Sequence, residues 1–360
     1  MKVCHFTSAH ETTDDRIFLK ECQSLQNAGH DIFLVGRGES REYSGIHIVG
    51  CGEPKGRMNR FIFFSKKIYR KALELKCEIY HFHDPELLKY ALGLKKRGKR
   101  VIFDSHEDVP AQILDKTWIP GIFRNLVAKI YKKYETRVVG KLDAVVAATP
   151  YIAEKFRGRA KKVEIVNNYP RLDDIMFHLE PFQDREPVVC YVGGVSEARG
   201  EKTMLEAMKK VEGKLIIAGK HEKASIEDGG TVEYMGQIDR KTVNQVYGQA
   251  VAGLVVLKPC NNYINSQPIK MYEYMAAGLP VIYSNFPAWE KIMEKTGAGI
   301  SVDPEKPKEV AEAIQYLFQN LDVAQEMGRK GRQAVEQKFS WDMEEKKLCQ
   351  LYSELEAEDK

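Results

Sequence analysis

The chain has 360 residues, 43% of them hydrophobic and 29% charged, the balance of a globular protein and more than one hydrophobic core usually holds. Its 55 Lys and Arg stand against 51 Asp and Glu, so a net charge of +4 gives no electrostatic footprint for a nucleic acid, and any basic surface must be local. Seven cysteines, at positions 4, 22, 51, 77, 190, 260 and 349, form no C-x-x-C pair, which argues against a disulfide framework or a zinc site and fits a reducing cytosol.

The opening MKVCHFTSAH is broken at His5 and Ser8, too soon for the roughly 7–15 apolar residues at the centre of a signal peptide. The smoothest apolar stretch, Val251 to Leu257, falls far short of the ~18–20 residues of a membrane span. A cytoplasmic protein is expected. Strand-like runs then alternate with helical periodicity along the whole chain. In the first half they fall at Lys2–Thr7, Asp31–Val35, Ile46–Val49, Glu78–His81, Arg100–Phe103, Ala144–Ala147 and Lys162–Ile165. In the second half they fall at Pro187–Tyr191, Leu215–Ile217, Val232–Tyr234, Gly253–Val256, Pro280–Tyr283 and Gly299–Ser301. Such alternation predicts an α/β protein with two doubly wound, Rossmann-like parallel sheets. Asn167-Asn168-Tyr169-Pro170 and the polar stretch that follows read as the linker, giving domains over 1–170 and 171–340. Helices are expected over Lys306–Asn320 and Asp322–Lys338, with a last one over 341–360 for which Ser340 is a candidate N-cap. Ligand crevices of such sheets lie beyond the carboxyl ends of the strands, so a cleft between the domains is the expected site.

Several chemistries are disfavoured. Gly36-Arg37-Gly38 opens like a dinucleotide loop but has Arg at position 41, no Gly-Lys pair is followed by Ser or Thr, and neither G-x-S-x-G nor D-x-D occurs. An anion would therefore be held by backbone amides, helix termini and basic side chains. The segment Asn265–Ile282 suits that task. Pro268 fits the first turn of a helix, Ser266 or Gln267 is placed to cap it, Gly278 and Pro280 end it, and its N-terminus is an anion site. One turn in, Glu273 is the only acid, placed to accept two hydrogen bonds from a ribose diol or simply to sit on the helix surface. Gly193-Gly194 after the first strand of the second half lets backbone approach a ligand, Arg199 offers a fork of donors to phosphate oxygens, and Lys220 adds a cation after the next strand. In the first half, His106 in Asp104-Ser105-His106-Glu107 and His83-Asp84 in the preceding loop sit at carboxyl strand ends, joined by the loop carrying His10, Asp15 and Arg16. Asp15 and Arg16 are also placed to pair with each other or to cap the next helix. A metal on His81, His83 and His106 is a weak reading without Cys or an H-x-x-x-H helix.

These motifs together carry a resemblance. D-x-R-I-F-x-K-E at Asp14–Glu21, H-x-H-D-P-E-L at His81–Leu87, D-S-H-E at Asp104–Glu107, the Arg199-Gly200 loop, P-x-K-x-x-E-Y-M-A-A-G-x-P-V-I from Pro268 and F-S-W at Phe339–Trp341 are similar to the family 4 retaining glycosyltransferases of GT-B type, especially bacterial members that build surface polysaccharides. The resemblance implies a nucleotide-diphosphate sugar as donor, no cofactor and no required metal. It implies that Glu273 binds the ribose and Arg199 the diphosphate. Backbone at Gly236, Gln237 and Ile238 would meet the base, and Asn265, Gln267, Pro268 and Ile269 would line the donor site. His106 would lie against donor sugar and acceptor, with His10, Asp15, Arg16, His83 and Asp84 on the acceptor side. The last helix would pack back on the first domain. Two departures stand out: Asn265 replaces the first of the family's paired glutamates, and Gly194 stands where many members carry a basic residue.

Two stretches mix basic and apolar residues. Lys55, Arg57, Arg60, Lys66, Lys67, Arg70, Lys71 and Lys76 are interleaved with Phe61, Ile62, Phe63, Phe64, Ile68 and Tyr69. Trp118, Ile119, Ile122 and Phe123 accompany Arg124, Lys129, Lys132 and Lys133. Both suit an anionic membrane surface at the inner face of the membrane and a glycan or polyprenyl-linked acceptor, against the plainer reading of core-facing helices with a solvated basic side. The competing functions are a sugar-nucleotide epimerase or hydrolase on the same fold, or a non-catalytic nucleotide-sugar-binding protein at the membrane.

Overall fold

The computed structural model describes residues 1–116, 119–178, 181–221 and 230–357. Trp118, one of the residues expected at a membrane, lies outside them. The chain divides into two units, Met1–Asn168 with Trp341–Lys360, and Tyr169–Ser340.

The first unit holds β1 (Lys2–Phe6), β2 (Asp31–Gly36), β3 (Arg41–Tyr43), β4 (Ile46–Gly50), β5 (Ile79–Phe82), β6 (Arg100–Ser105), β7 (Ala144–Ala147) and β8 (Val163–Ile165), in the order β3-β4-β2-β1-β5-β6-β7-β8. All pair in parallel except β3, which is antiparallel to β4. The sequence reading missed β3 because its three residues, Arg-Glu-Tyr, are all exposed and show no apolar alternation. A Ser44-Gly45 turn with both φ angles positive folds it onto β4, the geometry that two-residue hairpin loops favour. Side chains of β1 alternate between two cores. Cys4 and Phe6 pack into one, while Val3 joins Ile17, Phe18, Leu25 and the helix Trp341–Ala357 in the other. That last helix presents Trp341, Leu348, Leu351, Tyr352 and Leu355 at helical spacing, and the indole of Trp341 donates to Ser24 Oγ at 2.9 Å.

The second unit holds β9 (Val188–Val192), β10 (Lys214–Ala218), β11 (Val232–Tyr234), β12 (Ala252–Val255), β13 (Val281–Ser284) and β14 (Gly299–Val302), all parallel in the order β11-β10-β9-β12-β13-β14. Every expected strand of both halves is present, and the fold is a two-domain α/β structure with Rossmann-like parallel sheets. The strand order reverses at β1/β5 and at β9/β12, the places where open parallel sheets leave room for a ligand. No helix among the described residues is long and apolar enough to cross a membrane.

Candidate functional site

At the carboxyl ends of β1, β5 and β6 the first unit gathers five of the expected residues around Asp104. Arg16 donates to it twice, from Nε and Nη2 at 2.9 Å each, His83 Nδ1 lies 3.1 Å away and His106 Nε2 2.8 Å away. Burial opposes a charge on Asp104, but Arg16, His106 and the hydrogen bonds from His106 and His83 outweigh it and hold the carboxyl well below its usual range. His106 keeps 18% of its side chain exposed while Asp104 has none. The ring of His10 meets that of His106 edge-on at 5.2 Å. His10 Nδ1 lies 3.1 Å from Asp14 and its Nε2 3.6 Å from Asp84. Asp84 is fixed by Thr7 Oγ1 and the backbone amides of Ser8 and Ala9.

The helix that delivers Arg16 runs over Asp15–Cys22, wound with π-helical bonds, and continues over Gln23–Asn27. Its cap is Asp14, which accepts from the amides of Arg16 and Ile17, rather than Asp15 or Arg16. Nor do Asp15 and Arg16 pair with each other. Asp15 instead accepts from the buried Lys20, so of the expected acceptor-side residues it alone stands apart from the cluster.

Behind this cluster lie His5, His81 and His83 on neighbouring strands. His5 Nδ1 is 3.0 Å from His83 Nε2, His5 Nε2 is 3.2 Å from the Tyr352 hydroxyl, and His81 Nδ1 is 2.9 Å from that hydroxyl. Burial first, and neighbouring imidazoles second, hold His5 and His81 far below the usual histidine range, so both rings are neutral. Because ionised Asp104 only accepts, His83 carries its proton on Nδ1. His5 must then donate from Nδ1 to His83, Tyr352 to His5, and His81 Nδ1 to Tyr352. His81 is thus a buried member of this chain and does not reach the surface. Among the described residues, His5, Glu21, His81 and His83 form one group that could hold a metal, with one ligand atom of each within 4.8 Å of the rest, and His83, Asp104 and His106 form another.

In the second unit the loop after β9 and the helix Ile269–Ala276 meet. The Tyr274 hydroxyl accepts from the amide of Val192 on β9, and a Cβ on Gly253 of β12 would strike the Tyr274 ring, so the helix closes tightly on both strands. Trp289 Nε1 donates to the carbonyl of Ser266 at 2.7 Å. The expected side-chain cap is absent: Pro268 itself holds the N-cap position, Ser266 Oγ donates to the Tyr263 carbonyl, and Gln267 Oε1 accepts from Tyr272. In the first turn the Met271 amide donates to the Pro268 carbonyl at 3.1 Å, while the amides of Ile269 and Lys270 come before the first bond of the helix. Asn265 ends the preceding short helix, Asn261–Ile264.

The twin glycines each make room for a cation. A Cβ on Gly194 would collide with the Arg199 guanidinium, and one on Gly193, where φ is +137°, would lie 2.7 Å from Lys270 Nζ. Val195 donates its amide to the carbonyl of Lys220, whose side chain is exposed, so Lys220 holds the loop through its backbone. Gly236, at φ +66°, accepts the Gly219 amide, and Gln237 and Ile238 follow it. Glu273 accepts from Arg240 Nη2 at 2.9 Å, with 12% of its side chain exposed.

Sequence reasoning overlooked three participants. Asp104 was visible in D-S-H-E but took no role of its own, Tyr352 looked like one more helix aromatic, and Lys270 was hidden in the P-x-K-x-x-E motif behind its acid. The signal available for Lys270 is that it is the one cation of the helix Ile269–Ala276.

Two family models match. Residues 16–169 match Glycosyltransferase Family 4, and residues 174–334 match Glycosyl transferases group 1. The chain is 21% identical over 372 residues to the D-rhamnosyltransferase WbpZ of Pseudomonas aeruginosa, covering 94% of this chain and 92% of that protein. It is 25% identical over 184 residues to an uncharacterised glycosyltransferase, MJ1607, of Methanocaldococcus jannaschii, covering 47% of this chain and less than half, 45%, of that relative. Among solved structures, sucrose-phosphate synthase of Thermosynechococcus elongatus superposes with a TM-score of 0.78 at 18% identity over 99% of both chains. Anabaena Alr3699/HepE in complex with UDP superposes at 0.73 and 11% identity, over 98% of this chain and all of that one. With each unit matched by a glycosyltransferase model and the whole chain sharing the fold of these structures, the protein is a glycosyltransferase of the GT-B type.

Proposed function

We propose that the protein moves a sugar from a nucleotide-diphosphate donor to a glycan or lipid-linked acceptor, with retention at the anomeric carbon, in the synthesis of a surface polysaccharide. The observation that carries this reading is the cradle after β9, where Gly193 and Gly194, Arg199 and the first turn of helix Ile269–Ala276 converge beside Glu273. Glu273 would turn from Arg240 to the ribose diol, and Arg199 with the helix amides would meet charge growing on the departing diphosphate. The bond from the anomeric carbon to the diphosphate oxygen breaks, the acceptor oxygen bonds that carbon from the same side, and the acceptor proton passes to the departing diphosphate. Chain cations, rather than a divalent metal, supply the charge in this scheme. The His106–Asp104 pair acts on the sugar being transferred: with Nε2 bound to Asp104, the ring offers Nδ1 to a substrate hydroxyl.

The same reading places the enzyme on an anionic membrane. It is supported by helix Gly121–Val139, where Ile122, Leu126 and Ile130, spaced by four, are 83%, 56% and 61% exposed among Lys129, Lys132 and Lys133. In the other stretch Phe61, Ile62 and Phe63 are exposed, whereas Phe64 and Ile68 are core residues. Arg60 does not join the surface cations there, because it turns to pair with Glu86 at 2.9 Å, and Ile119 is buried as well.

Incubation with UDP-, GDP- and dTDP-sugars, with and without polyprenyl-diphosphate glycans, tests the proposal. A product whose new linkage keeps the donor's anomeric configuration is expected. Isomerised or free sugar as the only product, whether or not acceptor is present, would contradict it.

A further inference from the structure

Lys270 poses a problem that the reading of the donor site does not solve. Its Nζ is buried without a hydrogen-bond partner, on the first turn of helix Ile269–Ala276. It lies 3.7 Å from the centroid of the Tyr191 ring, whose hydroxyl in turn donates to the Gly194 carbonyl. A buried ammonium with neither counter-ion nor acceptor is costly, and an apolar side chain of similar length would fill the same space without that cost. The surroundings nonetheless accommodate it: a Cβ at position 193, where φ is +137°, would lie 2.7 Å from Nζ and 3.1 Å from Cε, and one at Gly194 would meet Arg199 in the same manner. Two cations therefore reach one loop from two different elements, the short turn Glu197–Arg199 and the helix.

We propose that Lys270 and Arg199 together form a two-cation clamp for the donor's diphosphate, and that Lys270 takes up a proton when the donor binds. The proposal rests on the reading of this loop as the donor site. The charged and titratable groups around Lys270 are Arg199 from the Glu197–Arg199 turn, Tyr191 from β9 and Glu273 one turn along its own helix. Burial first, and repulsion by Arg199 second, outweigh the attraction of Glu273 and push Lys270 down to about 7. An anion seated between the two cations reverses both effects, because it is attracted to each and replaces the missing acceptor at Nζ. The free protein thereby avoids holding a second full charge, on Lys270, beside Arg199, and that charge appears only with its partner.

The test is calorimetry with UDP-glucose, and with GDP-mannose and a dTDP-sugar in parallel, at pH 8 and pH 6 in buffers of different ionisation enthalpy. The diphosphate of a sugar nucleotide has no group titrating in this range, so a proton taken up must land on the protein. Uptake of about one proton per bound nucleotide at pH 8, falling towards none at pH 6, is expected for a group near 7 that becomes charged on binding. In Lys270→Met the uptake at pH 8 should vanish and affinity fall tenfold or more, with the unfolding temperature kept or raised because a buried charge has been removed. A sugar nucleotide that binds wild type without pH-dependent proton uptake overturns the inference while leaving the donor site standing. So does a folded Lys270→Met that binds and takes up a proton like wild type. If none of the sugar nucleotides binds, the reading of the loop as a donor site fails, and the inference falls with it.

Discussion

His10 shows how one side chain links a polar loop to stability. Burial works against its charge, but the hydrogen bond to Asp14 and the carboxylates of Asp84, Asp14 and Asp104 outweigh that effect, and its pKa is pushed up to about 9 from 6.5. A raised value means that the folded state binds the proton more tightly than the unfolded chain. The resulting stability is full below pH 6.5 and is lost as pH rises through about 9. With a third of the ring exposed, solvent screening leaves roughly 1 kcal/mol of this at neutral pH. Chemical denaturation of wild type and His10→Asn should therefore differ by about that amount at pH 6 and converge near pH 10. A constant difference across the range would mean that His10 acts through packing alone. At this scale the sequence was legible where a motif carried its own chemistry, as in Asp84 or His106. It was not legible where a role depended on contacts between distant segments, as for Asp104, which is anchored by Arg16 from 88 residues upstream. No local pattern marks such a hub.

Elements were read more securely than residues, because apolar runs bounded by turns appear in the sequence whatever the tertiary contacts. All thirteen expected strands formed, and the omitted β3 has no buried face by which it could have been recognised. Helix faces were harder, since periodicity states that a helix is amphipathic and not which side is covered. Phe61 and Phe64 are neighbours in composition, yet the first is 38% exposed and the second 4%. Helix Gly121–Val139 departs further from the core-facing pattern, since Ile122, Phe123, Leu126 and Ile130 face water while Val138 and Val139 are buried. If it lies on a bilayer, each nearby cation contributes about 1 kcal/mol and the attraction is screened over about 8–10 Å at physiological salt. Sedimentation with anionic liposomes should be lost in a Lys129→Glu, Lys132→Glu, Lys133→Glu variant and weakened by salt for wild type. Equal sedimentation of the folded variant, or none by wild type, would make this helix an ordinary exposed surface.

For the whole molecule, the two parallel sheets were foreseeable from β/α alternation alone, and the reversals at β1/β5 and β9/β12 explain why the candidate residues gather where they do. Which substrates they serve is less legible, because Asn265 and Gly194 change the charge pattern of the motifs that would report the donor. Lys270 brings a cation beside Gly193 from a different element, a juxtaposition in space that leaves no trace in spacing. The proposed function divides the labour, assigning nucleotide recognition to the second unit and the His106–Asp104 pair to the first. Equilibrium calorimetry of one bound sugar nucleotide against wild type, Glu273→Ala and His106→Ala tests that division most directly. Loss of a charged acceptor pair to a ribose diol removes roughly 1.5–3 kcal/mol, so Glu273→Ala should bind about ten- to a hundredfold more weakly while His106→Ala binds like wild type. Unchanged affinity in a folded Glu273→Ala protein, or an equal loss in both variants, would contradict the account.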